Sequence, residues 1–552
     1  MQKLLSALYG HAAAAPLRPA LLFIKGTTYQ QFSYEDLLCE TERWANLFAA
    51  SWLEPGGVIA IVLNHRIEMY PAYLGAMRAG FIPTFLPYPT PKQDPDLYWS
   101  AQAELFERVR PTCVVTYENV RARVADLASG FGFALIDVDA LPEASGVALP
   151  PLEMVEADDR IALLQHSSGT TGAKKGVALT YAAIREQALS HFAALGGSSE
   201  DKTISWLPLY HDMGLLAAFL IPVATGSSII SIDAFEWLAR PAMFFELIER
   251  YRATQTWLPN FALNHLVRTH DPAKTYDLSS LRSLVSSSEP CKPATFESFY
   301  ATFGSHGIAR EALRCSYAMA EAVFACTLTA TETAPRTLAI DAEALATRNI
   351  AARASDRAAE YLSCGRPLAG LELRIAAGAG ENVGEIQIRG RFVFEGYFRN
   401  PEATAESFAD GWYKTGDLGF LYDGELYVCG RRKEMLIVHG QNFYAHDIEM
   451  LIDSVPGIKP GRIVVFGRYD ESTASEEAVV LAESAAESED ERAALASRIR
   501  SVVFSNLGLQ VRSVEIRPIG ELVKTTSGKM SRSDNAKRYE EANAAATAAI
   551  PT

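Results

Sequence analysis

The stretch Ser167-Ser168-Gly169-Thr170-Thr171-Gly172-Ala173-Lys174-Lys175-Gly176 places four hydroxyls, three glycines and two lysines in ten residues. A glycine-rich turn of this kind presents successive backbone N–H groups as an anion nest, and hydroxyl donors and lysine charge complete a cradle for polyphosphate. The alternative is a plain Ser and Gly rich turn. The spacing is not GxxxxGK followed by Ser or Thr, so a P-loop motor or kinase is disfavoured. Cys and His residues show no paired metal-ligand spacing.

The loop resembles the phosphate-binding signature of the adenylate-forming superfamily of acyl-CoA synthetases, peptide synthetase adenylation domains and luciferases. Further blocks follow in that family's order along nearly the whole chain: Tyr317-Ala318-Met319-Ala320-Glu321, Tyr413-Lys414-Thr415-Gly416-Asp417, Gly430-Arg431-Arg432-Lys433-Glu434 and Thr526-Ser527-Gly528-Lys529. Within the superfamily, four blocks resemble the fatty acyl-AMP ligase branch: Trp206-Leu207-Pro208-Leu209-Tyr210-His211-Asp212-Met213-Gly214-Leu215, Ser288-Glu289-Pro290, Met319-Ala320-Glu321 and Ser363-Cys364-Gly365-Arg366-Pro367. The long segment 328–360 is similar to the insertion of that branch, which is associated with poor use of coenzyme A.

The resemblance implies two half-reactions with ATP and Mg²⁺. A fatty acid carboxylate attacks the ATP α-phosphorus with release of pyrophosphate, and the acyl group then passes to a carrier-protein phosphopantetheine thiol. Such chemistry needs charge neutralisation around phosphates rather than a covalent nucleophile. By resemblance, Ser167, Ser168, Gly169, Thr170, Thr171, Gly172 and Lys175 hold phosphate, and Ser288, Glu289, Pro290, Tyr317, Ala318, Met319 and Ala320 surround the nucleotide. Tyr317 would stack on adenine, Asp417 would accept from ribose hydroxyls, and Arg431 would contact ribose or phosphate. Glu321, with Thr170, would hold Mg²⁺, and Lys529 would bridge carboxylate and α-phosphate. Lys433 would be the hinge of a swinging C-terminal domain. His211 would line or gate the acyl tunnel, its bland alternative being a satisfied core histidine. Trp206, Trp237, Trp257 and Phe261 are expected around the acyl pocket. Two residues depart from the family pattern: Ala318 stands where glycine is usual, and Val523 where proline usually precedes Lys524.

The elements that must position these residues read as parallel α/β architecture. Apolar runs at 58–63, 82–86, 112–116, 161–165, 228–232 and 281–288 alternate with helical patterns. The proline-rich run 87–96 is a loop. Segment 328–360 is poor in strand signals and reads as a helical surface insertion. From 371 the texture turns to short strands, with Asp423-Gly424 as a hairpin turn. The parse is an α/β chain with a large N-terminal core at 1–430 made of α/β subdomains and a β-rich subdomain. A hinge at 431–433 and a small mobile α+β C-terminal domain at 434–540 follow, and the tail 541–552 is expected to fray.

Composition sets the outer limits. The 552 residues carry 51 Lys plus Arg against 66 Asp plus Glu, a formal charge of -15, so no global basic field attracts nucleic acid or an anionic membrane. The seven cysteines read as cytosolic thiols, mostly buried. The N-terminus reads as an amphipathic helix rather than a signal peptide, and no run of 18 apolar residues occurs, so a cytoplasmic protein without stable membrane insertion is expected. The expected partners are a fatty acid and a separate holo acyl carrier protein or synthase carrier domain. Coenzyme A is the alternative acceptor. Amino-acid adenylation, a class that usually anchors the α-amine with an Asp near the block of Phe235, Glu236 and Trp237, is the disfavoured second alternative. A catalytically silent scaffold is disfavoured by retention of the blocks.

Overall fold

The computed structural model describes residues 3–50, 53–54, 56–90, 95–142, 146–167, 175–354, 358–439, 441–470, 475–524 and 530–548. Two parallel sheets build the first half. The larger runs in the spatial order Leu313–Cys315, Ser283–Ser286, Gln255–Leu258, Lys202–Ser205, Ser228–Ile232, Pro19–Lys25 and Thr28–Ser33, parallel except for the last edge strand. The smaller one orders Ile82–Phe85, Val58–Ile61, Cys113–Thr116 and Ala134–Asp137, all parallel. Both faces of such strands are covered by helices, which is why their sequences are apolar without alternation. Val58–Ile61 and Cys113–Thr116 are buried at every position.

The strand Ile161–Ser167 belongs to neither parallel sheet. It pairs antiparallel with Lys175–Thr180, Ser167 opposite Lys175. The two strands flanking the phosphate-type segment are thus paired with each other, and Thr180 caps the following helix Tyr181–Leu195 by accepting from the Ala183 N–H.

The β-rich subdomain is an antiparallel sheet of Leu371–Ala376, Gly384–Gly390, Trp412–Tyr422, Phe408–Ala409 and Glu425–Arg431. Asp423 and Gly424 take φ of 50° and 77° between its last two strands, the double left-handed conformation that a two-residue hairpin turn requires. The insertion differs from the helical expectation. Thr337–Asp341 and Ala358–Leu362 pair antiparallel around the short helix Ala342–Arg348. Leu338, Ile340, Leu345 and Tyr361 are buried with Leu418, Phe420, Tyr427 and Cys429 of the β-rich subdomain and with Tyr444. The alternation of Leu338 and Ile340 is a two-strand signal carried by too few residues to outweigh the Ala-rich composition.

Beyond the turn Arg432–Glu434, Ser475–Ser484 is the central strand between Ile458–Asp470 and Val511–Arg517. Its alternate residues divide two cores. Ala478, Val480 and Ala482 meet helices Ala445–Asp453 and Glu489–Leu507, while Val479 and Leu481 meet Tyr539 of helix Arg532–Ala548. That last helix runs to Ala548, so residues 541–548 are helical rather than frayed. Alanine favours helix enough to continue it without burial.

Candidate active site

Four segments converge on one polar centre. Tyr317, just after the strand Leu313–Cys315, donates its hydroxyl to Asp417 Oδ2 at 2.7 Å. The Arg431 Nε lies 3.0 Å from Asp417 Oδ1, and the Arg431 side chain remains 43% exposed, leaving a guanidinium face open to a ligand. Thr415 Oγ1 accepts from the Asp417 N–H, and Gly416, at φ 73°, supplies the left-handed bend between them. Burial pushes the Asp417 carboxyl upward, with Arg431 and the Tyr317 hydroxyl opposing, while Asp417 holds the Arg431 guanidinium firmly protonated.

The second arm holds Glu321, which is 8% exposed. Tyr397 donates to Glu321 Oε1 at 3.1 Å and shares a 3.2 Å hydrogen bond with the Tyr413 hydroxyl. Lys175 Nζ, at the exit of the phosphate-type loop, sits 4.7 Å from the Tyr397 ring centroid. Residues 394–398 stitch these parts together: the Phe394 N–H donates to Glu321 O at 2.7 Å and the Phe398 N–H to Gly176 O at 2.7 Å. Burial raises the Glu321 pKa, the Tyr397 bond and Arg431 lower it, and the nearby Asp212 raises it further. Two residues beyond Glu321, the β-branched Val323 adopts φ 62°, a strained conformation costing about 1–3 kcal/mol. One buried carboxylate with a second in electrostatic reach fits Mg²⁺, which takes few carboxylates and completes its shell with phosphate oxygens and water.

His211 Nδ1 lies 2.7 Å from Asp212 Oδ1 and its side chain is 24% exposed, so it is an accessible, carboxylate-oriented imidazole rather than a core histidine. It precedes a π-helix, Met213–Leu220, buried throughout; such irregular turns recur at functional sites. Trp206 stacks on Trp237 with centroids 4.0 Å apart and planes 5° apart, and Phe261 meets both edge-on at 6.0 and 6.3 Å. Trp257 is not part of this wall. It packs against His191 and Phe324 at 5.0 and 4.8 Å.

Of the other expected residues, Glu289 Oε2 accepts from the Phe261 N–H at 3.0 Å, tying the Ser288-Glu289-Pro290 block to the aromatic wall. Ser288 has φ 66°. Ala318 forms a bridge with Ala325, and the Cys326 N–H donates to Tyr317 O, so the Tyr317–Glu321 block is pinned as a loop and the added methyl is accommodated. Lys433 lies exposed in the turn Arg432–Glu434. Ser168, Gly169, Thr170, Thr171, Gly172 and Lys529 lie outside the described residues, as does the side chain of Ser167. The ends of the Lys529 segment, Lys524 and Met530, are joined by an antiparallel bridge. The departure at Val523 has a structural counterpart: its N–H donates to Asn535 Oδ1 at 2.9 Å, a bond that proline cannot make.

Tyr397 and Asp212 were not singled out from the sequence as site residues. Asp212 stood inside a quoted block, whereas Tyr397 carries no local signal because its role depends on the pairing of Val177 with Tyr397.

Comparison with known proteins places the chain in a family. The family model of AMP-binding enzymes matches residues 8–398, well over half of the chain. The chain belongs to the AMP-binding enzymes. Among similar members of this family, a putative acyl-CoA synthetase of Caulobacter vibrioides is 29% identical, covering 94% of this chain and 92% of its own. The medium-chain-fatty-acid–[acyl-carrier-protein] ligase JamA of Moorena producens is 29% identical over 85% of this chain and 83% of its own. A solved structure from work on fatty acyl-adenylate ligases of E. coli and L. pneumophila superimposes with a TM-score of 0.90 at 26% identity, covering 99% of both chains. The resemblance to fatty acyl-AMP ligases thus extends over the C-terminal domain as well as the AMP-binding core.

Proposed function

We propose that this AMP-binding enzyme activates a fatty acid with ATP and delivers the acyl group to the phosphopantetheine thiol of a separate carrier protein. The observation that carries the reading is the network Tyr317–Asp417–Arg431 with Glu321–Tyr397–Tyr413, joined to the end of the phosphate-type segment through Lys175 and Gly176.

In the first half-reaction a carboxylate oxygen forms a bond to the α-phosphorus and the bond to the β-phosphate bridging oxygen breaks, expelling pyrophosphate. Asp417 receives ribose hydroxyls while its other contacts hold it in place, and Arg431 turns its open face to ribose or phosphate. The Tyr317 ring flanks the adenine. Glu321 and Thr170 would hold Mg²⁺, which when bound supplies neutralising charge at the phosphates. Lys529 would bridge the carboxylate and the α-phosphate. His211, fixed by Asp212, stands at the mouth of the acyl site, whose wall is Trp206, Trp237 and Phe261. In the second half-reaction the carrier thiol attacks the acyl carbonyl, its proton passes to solvent and AMP departs. The C-terminal domain turns about 431–433 between the two.

The JamA ligase supports a carrier protein as acceptor, and so does the insertion, which packs across the β-rich subdomain to Tyr444. Among the described residues no helix is long and apolar enough to cross a membrane, in keeping with an enzyme drawing on cytoplasmic ATP. The test is product mass spectrometry with ATP, Mg²⁺ and a fatty-acid panel, offering holo acyl carrier protein and coenzyme A separately. Acyl-adenylate and acyl carrier protein without acyl-CoA are expected; efficient acyl-CoA formation assigns the enzyme to the synthetases instead.

A further inference from the structure

A charged contact away from the nucleotide residues joins three parts of the chain. Lys292 caps the helix Pro293–Phe303, and its Nζ donates to Asp447 Oδ1 at 2.7 Å. Asp447 stands in the first turn of helix Ala445–Asp453, beyond the hinge. His446 Nε2 lies 3.2 Å from the same oxygen, and the buried Tyr361 of the insertion stands within electrostatic reach of Asp447. The Lys292 and Asp447 side chains are only 14% and 23% exposed, so solvent screens the pair weakly. Burial alone would raise the Asp447 carboxyl, but His446 and Lys292 outweigh it and hold the group below the usual carboxylate range.

The segment carrying Lys292 is also fastened to the acyl wall. Asn260 Oδ1 accepts from the Lys292 N–H at 3.4 Å and Glu289 Oε2 from the Phe261 N–H at 3.0 Å. Residues 260–261 open the helix Asn260–Thr269, and Phe261 is the edge-on partner of Trp206 and Trp237. A continuous chain of contacts therefore runs from the aromatic wall through Phe261, Glu289 and Asn260 to Lys292, and across the domain seam to Asp447.

We propose that Lys292 and Asp447 are positioning residues that couple the acyl wall to the placement of the C-terminal domain. This rests on the two-step reading given above. Asp447 cannot stay on Lys292 of the core while its own domain turns, so the pair is present in one arrangement and broken in the other. It biases the equilibrium between the half-reactions in the way any state-specific contact does. An acyl group pressing on Phe261 acts on the same segment, which ties the swing to substrate occupancy.

The experiment uses the full chain as wild type, Lys292→Met, Lys292→Arg and Asp447→Asn, with dodecanoate as substrate. Single-turnover acyl-adenylate formation and transfer from preformed acyl-adenylate to holo acyl carrier protein are measured separately. Tryptic cleavage at Arg431, Arg432 and Lys433 reports the freedom of the hinge, and thermal melting reports folding. The expected result is that Lys292→Met and Asp447→Asn move the two rates in opposite directions, so that their ratio changes by about 5-fold or more. Hinge cleavage is faster, melting of the core is kept, and Lys292→Arg restores the wild-type ratio. Parallel loss of both rates, an unchanged ratio, or failure of arginine to restore it would overturn the coupling while leaving the function intact. Absence of acyl-adenylate from the wild type would instead sink the two-step reading itself.

Discussion

The nucleotide side and the interior helix beside Trp257 treat buried polar groups in opposite ways. Around Asp417 and Glu321 each carboxylate has a named hydroxyl or cation: Tyr317 and Arg431 for one, Tyr397 for the other. On helix Tyr181–Leu195, Gln187, Ser190 and His191 share one face at i, i+3 and i+4, all buried. Both Gln187 side-chain atoms, Ser190 Oγ and His191 Nδ1 have no hydrogen-bond partner among the described residues. A satisfied network rigidifies and fixes geometry, whereas orphaned groups cost stability. The contrast separates a centre organised in advance for a polyanion from an interior face that contributes nothing comparable to rigidity.

The strongest way to break this contrast is Asp417→Ala. It removes the acceptor of Tyr317 and leaves Arg431 without its carboxylate partner. Acyl-adenylate formation, followed by pyrophosphate release, should fall by about 100-fold or more, with the aromatic wall and melting of the C-terminal domain little changed. A loss under about tenfold would mean that the network is scaffolding.

The interior face makes a pH prediction. Burial first, then Arg314, lowers the His191 pKa from 6.5 to about 3. The unfolded chain therefore binds a proton near pH 6.5 that the native state refuses until about pH 3, so stability falls as pH drops through that window. The slope is at most about 1.4 kcal/mol per pH unit, or about 2 kcal/mol between pH 7 and 5. Denaturant melts at the two pH values check it, and His191→Leu should reduce the difference by about 2 kcal/mol, leaving the share of His65, which burial also holds below its ordinary value. An unchanged pH dependence in that variant would place the titration elsewhere.

Tyr397→Phe sharpens the comparison from the other direction. It deletes the hydroxyl that links Glu321 and Tyr413 while keeping the ring under Lys175. A hydrogen bond to a charged group is worth about 1.5–3 kcal/mol, so adenylation should drop by about tenfold or more and require more Mg²⁺ for half-maximal rate. An unaltered Mg²⁺ requirement would separate Tyr397 from the metal-facing role of Glu321.

The smallest expected effect is a gain. Gln187→Leu replaces a fully buried, unpartnered amide by an apolar group of similar size and should raise stability by about 1 kcal/mol, read by urea unfolding. Destabilisation would show that bound water satisfies the amide.

The Thr-Gly-Asp bend was legible because it is short and needs only Gly416 for its turn. The parallel sheets were legible because strands buried on both faces announce themselves as apolar runs. What could not be read depends on partners far apart in the chain. Lys292 and Asp447 are separated by 155 residues and Tyr397 and Glu321 by 76, and no local pattern encodes either pair. The insertion was misjudged because its two strands are short and its helix-favouring alanines dominate the composition, although Leu338, Ile340 and Tyr361 have a core to join. Trp257 was grouped with the acyl wall by residue type, and the direction of its strand turns it toward His191 instead.

The most direct test of the central claim is mass spectrometry of the products formed from this enzyme, ATP, Mg²⁺ and a fatty-acid panel, with holo acyl carrier protein or coenzyme A as acceptor and controls lacking any acceptor. Acyl-adenylate in the controls and acyl carrier protein, but not acyl-CoA, in the acceptor reactions is the predicted result. Acyl-CoA formed as efficiently as acyl carrier protein would contradict it.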